Sequence, residues 1–277
     1  MKKFTPYLLL FPALFLIIIF KLCPIFSNVI GSLFTDAGFS FENYSRIFQD
    51  STFWAAFKNT IVFSFIVTPL QIFLALVMAF LVNVKVRGIT VFRTLIYIPV
   101  VISLTVACMI WGIMLNPSSG IFNSMLIKLG MQPQTFLTSS NQALMCIVVI
   151  CSWKGIAYWM MFLLAGLQSI SNDIYEAGKI DGANWWNMTT KITIPLLNRP
   201  LIFVIVSDTI SNMLLFTPMY ILTNGGPKES TNVLMFEAYK AAFVYSDNGR
   251  SCAIITILLL MILVIVGSEM KFLKRDY

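Results

Sequence analysis

The chain has 277 residues, of which 58% are apolar and 11% charged, with a mean hydropathy of +0.84 and a formal charge of +7. A soluble domain carries about 45–50% apolar residues, so composition excludes a soluble globular protein. The 19 Lys and Arg are spread too thinly for the basic face of a nucleic-acid binder.

Histidine is absent, which removes the commonest general base and most zinc sites. Cys23, Cys108, Cys146, Cys151 and Cys252 show no Cys-x-x-Cys spacing and fall mostly in apolar runs, where cysteine behaves as a small hydrophobe. No catalytic constellation and no metal site are expected.

A bilayer core of about 30 Å takes about 20 apolar helical residues. Stretches with few charges run at 7–30, 59–83, 94–115, 143–167, 201–223 and 252–270. They predict an all-α polytopic membrane protein with six transmembrane helices in a single domain, 1–277. The first is interrupted by Lys21, and Lys2 with Lys3 before an apolar run resembles a secretory signal. No Ala-x-Ala cleavage pattern follows, so it is read as a retained helix. Pro69 and Pro99 are candidate kinks in the second and third.

Basic loop residues are retained on the cytoplasmic side. With both termini inside, the inner set is Lys2, Lys3, Lys85, Arg87, Arg93, Lys179, Lys191, Arg199, Lys271, Lys274 and Arg275, eleven residues. The outer set, Arg46, Lys58, Lys128, Lys228, Lys240 and Arg250, has six, so the expected topology has both termini and loop 168–200 in the cytoplasm.

That loop is the most informative part of the chain. Ser171 or Asn172 can cap a short helix whose first turn holds Asp173 and Glu176, matching the positive end of the helix dipole. Gly182 breaks it, a second short helix follows over 183–191, and Pro195 suits a helix start. Small residues at Ala177, Gly178, Gly182 and Ala183 permit close approach by another protein, and Trp185 and Trp186 can anchor at the headgroups or fill a contact. An interfacial amphipathic helix without a partner is the plainer alternative.

The order Glu176-Ala177, Gly182, Ile192 and Pro195, with Asp181 beside the glycine, resembles the EAA loop of binding-protein-dependent ABC importer permeases. Gly178 stands where that family usually has alanine, and Ile194 where it has leucine. Thr223-Asn224-Gly225-Gly226-Pro227 is similar to a segment of one of the two paired subunits of carbohydrate-type permeases. The resemblance implies that Glu176, Ala177, Gly178, Asp181, Gly182, Ala183 and Pro195 belong to a coupling helix seated on a cytoplasmic ATPase dimer. It also implies a second permease subunit completing the pathway, an extracytoplasmic sugar-binding protein and a carbohydrate substrate. The chain lacks a Gly-x-x-x-x-Gly-Lys-[Ser/Thr] loop, so it is expected to bind no cofactor, with ATP and Mg used by the partner ATPase.

Ionisable residues at membrane depth usually face a partner or an aqueous pathway. Lys154, between Trp153 and Gly155, and Asp208, with Ser211 and Asn212 one turn on, are therefore the expected substrate pathway. Aromatic rings cover the apolar face of a pyranose while polar groups bond its hydroxyls, and Tyr158, Trp159 and Ser207 lie nearby. The alternative is a buried Lys154–Asp208 ion pair. Gln71 and Ser103 are weaker candidates. An ion-coupled secondary transporter is the rival function, but no internal repeat is visible and it leaves the ordered loop unexplained.

Overall fold

A computed structural model of the chain describes residues 5–35, 38–84 and 86–273. Lys2, Lys3, Lys85, Lys274 and Arg275 of the expected inner set lie outside the described residues.

The chain begins with α1 (Thr5–Ile17), which passes through a π-helical turn at Ile18–Leu22 into α2 (Cys23–Ser32). Lys21 sits in that turn. Two strands of two residues each follow, β1 (Phe34–Thr35) and β2 (Gly38–Phe39), paired antiparallel with Phe34 opposite Phe39. Next come α3 (Glu42–Phe48), α4 (Ser51–Val82), α5 (Ile89–Val101), α6 (Leu104–Met114) and α7 (Ile121–Lys128). α8 (Ala143–Gln168) leads to α9 (Asn172–Ile180). A further helix, Trp185–Leu196, contains α10 (Trp185–Asn187), a π-helical stretch and α11 (Ile194–Leu196). The chain ends with α12 (Asn198–Met213), α13 (Leu234–Tyr239) and α14 (Asn248–Leu273).

Leu9–Ser32, Ser51–Val82, Ala143–Gln168 and Asn248–Leu273 are long and apolar enough to cross a membrane. At 1.5 Å per residue α4 is about 48 Å long, more than the hydrocarbon thickness.

Two expected stretches are not continuous helices. The 94–115 segment is α5 and α6, bent by 94° at Ile102–Ser103. Pro99 supplies no N–H to the ladder, Ile102 is extended, and Ser103 caps α6 by accepting from Val106 N–H at 3.3 Å. The 201–223 segment stops after Met213 and resumes as a π-helical turn at Met219–Thr223, because Pro218 has no donor to continue α12 and suits the start of a new turn.

The chain divides into two compact units, Met1–Trp54 with Leu234–Met261, and Ala55–Val233 with Ile262–Tyr277. In the larger unit, Ala75, Ala79 and Val82 of α4 pack with Trp159, Met160, Leu163 and Leu167 of α8, and with Leu197 and Val204. Lipid tails are as apolar as leucine, so such contacts depend on close packing, and the small residues Ala75 and Ala79, one turn apart on α4, allow it. A Cβ on Gly166 would fall 2.9 Å from Leu197 and Pro200, so glycine lets α8 approach the start of α12. Phe65, 79% exposed, and Val101 and Ile113 face outward, as lipid contacts require.

In the smaller unit Asn28 donates to the Cys252 carbonyl at 3.2 Å, and buried Asn43 donates to the Ser32 and Phe34 carbonyls at 3.1 and 3.0 Å. Arg250 bonds both Asp50, at 2.5 Å, and Glu237, at 2.8 Å, while Lys240 reaches the other Glu237 oxygen at 2.8 Å. Two cations thus offset the cost of burying Glu237.

Candidate functional site

The helix break at Ile102 creates the first part of the site. A helix end leaves carbonyls without partners, and the ammonium of Lys154 on α8 takes three of them. It donates to Pro99 at 2.9 Å, Val100 at 2.8 Å and Ile102 at 2.5 Å. A cation at a helix C-terminus also suits the dipole of α5. The Lys154–Asp208 ion pair weighed from sequence is not formed; each residue has its own partners.

Asp208 of α12 is 2% exposed, and its Oδ1 accepts from Trp159 Nε1 at 2.5 Å. Its Oδ2 is buried without a partner among the described residues. One turn on, Asn212 donates to Thr68 Oγ1 at 3.1 Å and Gln71 Oε1 at 3.3 Å on α4. A Cβ on Gly155 would lie 2.6 Å from the Gln71 amide, so this glycine makes room for that bond. Lys154, Gly155, Tyr158, Trp159, Asp208, Ser211, Asn212 and Gln71 all line one cavity of about 210 Å³.

Trp153 does not join them. It packs edge-on to Trp111 at 5.8 Å and lines a neighbouring cavity with Met78 and Pro99. Ser103 serves α6 as its cap rather than lining the Asp208 cavity. The Trp159–Asp208 bond went unread in the sequence, where nothing ties an indole on one helix to a carboxylate 49 positions later. The bond from Thr209 to Glu269 Oε1, at 2.8 Å, was equally silent.

The second part of the site is α9. Ser171 caps it by accepting from Asp173 N–H at 3.3 Å, and Asp173 and Lys179 lie at the ends that suit their charge. At its C-terminus, Ala183 N–H donates to Gly178 O at 2.9 Å and Gly182 N–H to Lys179 O at 3.1 Å. That is the Schellman pattern, with Gly182 left-handed at φ +76°. Asn184 then caps the next helix by accepting from Asn187 N–H at 2.8 Å.

Gly178 is buried, and a Cβ there would meet Ile192 and Met188 at 3.0 Å, so the missing methyl lets α9 lie against the following helix. Thr193 reinforces that contact with a bond to Tyr175 at 3.4 Å. Ala183 and Pro195 are half-buried. Glu176, Ala177, Asp181 and Gly182 are exposed, and so are Ile180 at 86%, Trp185 at 74% and Trp186 at 64%. The inner face of α9 is held by its own chain, and the outer face presents small and apolar groups beside two acids.

The turn over Thr223 to Pro227 is ordered by its own side chains. Thr223 and Thr231 share a hydroxyl bond of 2.6 Å, Thr231 donates to Gly226 O at 2.9 Å, and Asn59 donates to the Glu229 and Asn232 carbonyls at 2.7 and 2.9 Å. Asn224 and Gly225 adopt positive φ, which Asn and Gly tolerate best.

A helical membrane chain with a mostly apolar cavity at a helix break, edged by Lys154, Asp208 and Asn212, and an exposed, capped helix between two apolar stretches fits a membrane-embedded transport subunit. The family described as "Binding-protein-dependent transport system inner membrane component" matches residues 71–270, and the chain belongs to it. It is 32% identical to the probable ABC transporter permease protein YurN of Bacillus subtilis (strain 168), over 99% of this chain and 97% of that one. It is also 32% identical to the lactose transport system permease protein LacF of Rhizobium radiobacter, over 98% and 94%. The fold matches a bacterial ABC transporter involved in import of the acidic polysaccharide alginate, with a TM-score of 0.85 at 24% identity, covering 99% and 96% of the two chains.

Proposed function

We propose that this chain is one permease subunit of an ATP-driven importer of sugars or oligosaccharides. It forms half of the pathway, a second permease subunit forms the other half, and a separate cytoplasmic ATPase dimer supplies the energy. An extracytoplasmic binding protein delivers the sugar, and both termini with loop 168–200 face the cytoplasm. The lactose permease among the relatives supports the sugar reading.

The observation that carries this is the exposed outer face of α9, from Glu176 through Ile180 to Trp185 and Trp186. Its backbone ends are already capped within the chain, so the free groups serve a contact with another protein. Small residues at its centre allow close backbone approach, and ATP-driven motion of the partner passes through α9 into the adjoining helix Trp185–Leu196 and then α12. Asp208, Asn212 and Gln71 bind hydroxyls as the sugar passes, while Tyr158 and Trp159 offer ring faces.

Copurification in detergent tests this. The wild-type chain is expected to carry an ATPase and a second permease with it. Gly182→Trp is expected to remain in the membrane but lose the ATPase and uptake. An ATPase retained in full by the variant, with normal uptake, would remove α9 as the coupling element.

A further inference from the structure

We propose that the cavity beside Asp208 accepts neutral or amino sugars and turns away carboxylated or phosphorylated ones; this rests on the importer reading above. Lys154 is the only basic side chain lining the cavity among the described residues. An ammonium has three N–H donors, and Lys154 faces three backbone carbonyls within 2.9 Å. Its hydrogen-bonding capacity is spent on the end of α5.

Most of the other donors lining the cavity are engaged too, leaving the uncharged Tyr158 hydroxyl and Gln71 amide N–H to meet a sugar hydroxyl. Trp159 Nε1 goes to Asp208, the Asn212 amide goes to Thr68 and Gln71, and the Ser211 hydroxyl goes to the Ser207 carbonyl at 2.8 Å. Among the described residues lining the cavity, the buried atom without a hydrogen-bond partner is an acceptor, Asp208 Oδ2. A sugar hydroxyl or ammonium can donate to it. A carboxylate or phosphate would lose its water beside a carboxyl, with no lining cation among this chain's described residues free to pair with it, which is the costly form of charge burial. The central lysine, which read alone suggests an anion site, is therefore a brace for the broken helix. Charge selection falls to Asp208.

The test uses the complete transporter, this chain with its second permease, ATPase and binding protein, in proteoliposomes. ATP-dependent uptake is compared for size-matched neutral, amino and uronic-acid disaccharides, in wild type and in Asp208→Asn. The amide keeps an oxygen for Trp159 while removing the carboxyl. Wild type is expected to take up a neutral or amino disaccharide at least about tenfold faster than the uronic one, and Asp208→Asn to raise the uronic-to-neutral ratio about tenfold or more. Uronic uptake as fast as neutral in wild type, or a ratio unmoved by Asp208→Asn, would overturn the charge selection and leave the importer reading standing. Uptake of no disaccharide by a complex that hydrolyses ATP would overturn the importer reading, and this inference with it.

Discussion

The ammonium of Lys154 lies 2.5 Å from the carbonyl oxygen of Ile102, so a side chain from the middle of α8 closes the broken end of α5. The Pro99 and Val100 carbonyls share the same ammonium.

Lys154→Met removes the donor but keeps most of the stem. An acceptor left buried without a partner costs about 1–3 kcal/mol, so the variant is expected to lower the thermal unfolding midpoint of the purified complex. Lys154→Arg should recover most of the loss. A midpoint unchanged in Lys154→Met would show that water satisfies these carbonyls.

Gly155→Ala places a methyl against the Gln71 amide, where a Cβ would approach to 2.6 Å. Overpacking of this kind costs about 1–3 kcal/mol. Uptake and stability are expected to fall, and Gln71→Ala in the same chain should restore stability but not full uptake, because the Asn212 bond is gone. Strictly additive losses in the double variant would rule out the steric coupling.

At Gly182 the space around the Cβ is open, and the constraint is the φ of +76°. A left-handed conformation costs an ordinary L-residue about 1–2 kcal/mol, and asparagine tolerates it better. ATPase recovery is therefore expected in the order glycine, Gly182→Asn, Gly182→Ala. Equal recovery from the two variants would put the importance of Gly182 elsewhere than its backbone.

Outside the expected membrane core, burial pushes the Asp50 carboxyl up. The Thr52 N–H, which it accepts at 2.8 Å, and the Arg250 guanidinium outweigh that and hold it below its ordinary value. A carboxyl lowered in the folded state stabilises fully above its unfolded value of about 3.9 and loses that contribution as pH falls through the lower folded value. Asp50→Asn is thus expected to unfold at a lower temperature than wild type near pH 7, with the gap closing as pH falls below about 4. A gap that stays constant with pH would show that the Arg250 contact contributes through packing alone.

Several parts of the site were legible in residue order because they depend on near neighbours. Ser171 capping α9, Gly182 ending it and the resumption of helix beyond it each need only local backbone geometry, but that next helix, expected over 183–191 with Pro195 at a new start, instead runs from Trp185 to Leu196 with Pro195 near its end. The apolar stretches were legible as well, since lipid leaves the backbone no partner but itself. Their ends were not. α4 starts at Ser51, eight residues before the apolar stretch at 59, because Lys58, Asn59 and Thr60 interrupt the apolar run without breaking the helix.

The sequence by itself determined that this is a helical membrane protein with a short capped helix between two apolar stretches, because composition, capping and glycine placement act over a few residues. Only the tertiary structure decided that Lys154 braces α5 while Asp208 takes Trp159, that Trp153 faces a different cavity, and that Gly155 clears space for Gln71. Those outcomes depend on the rotation and depth of one helix against another. A shift of one residue turns a side chain by about 100° around its helix, and a linear pattern does not carry that register.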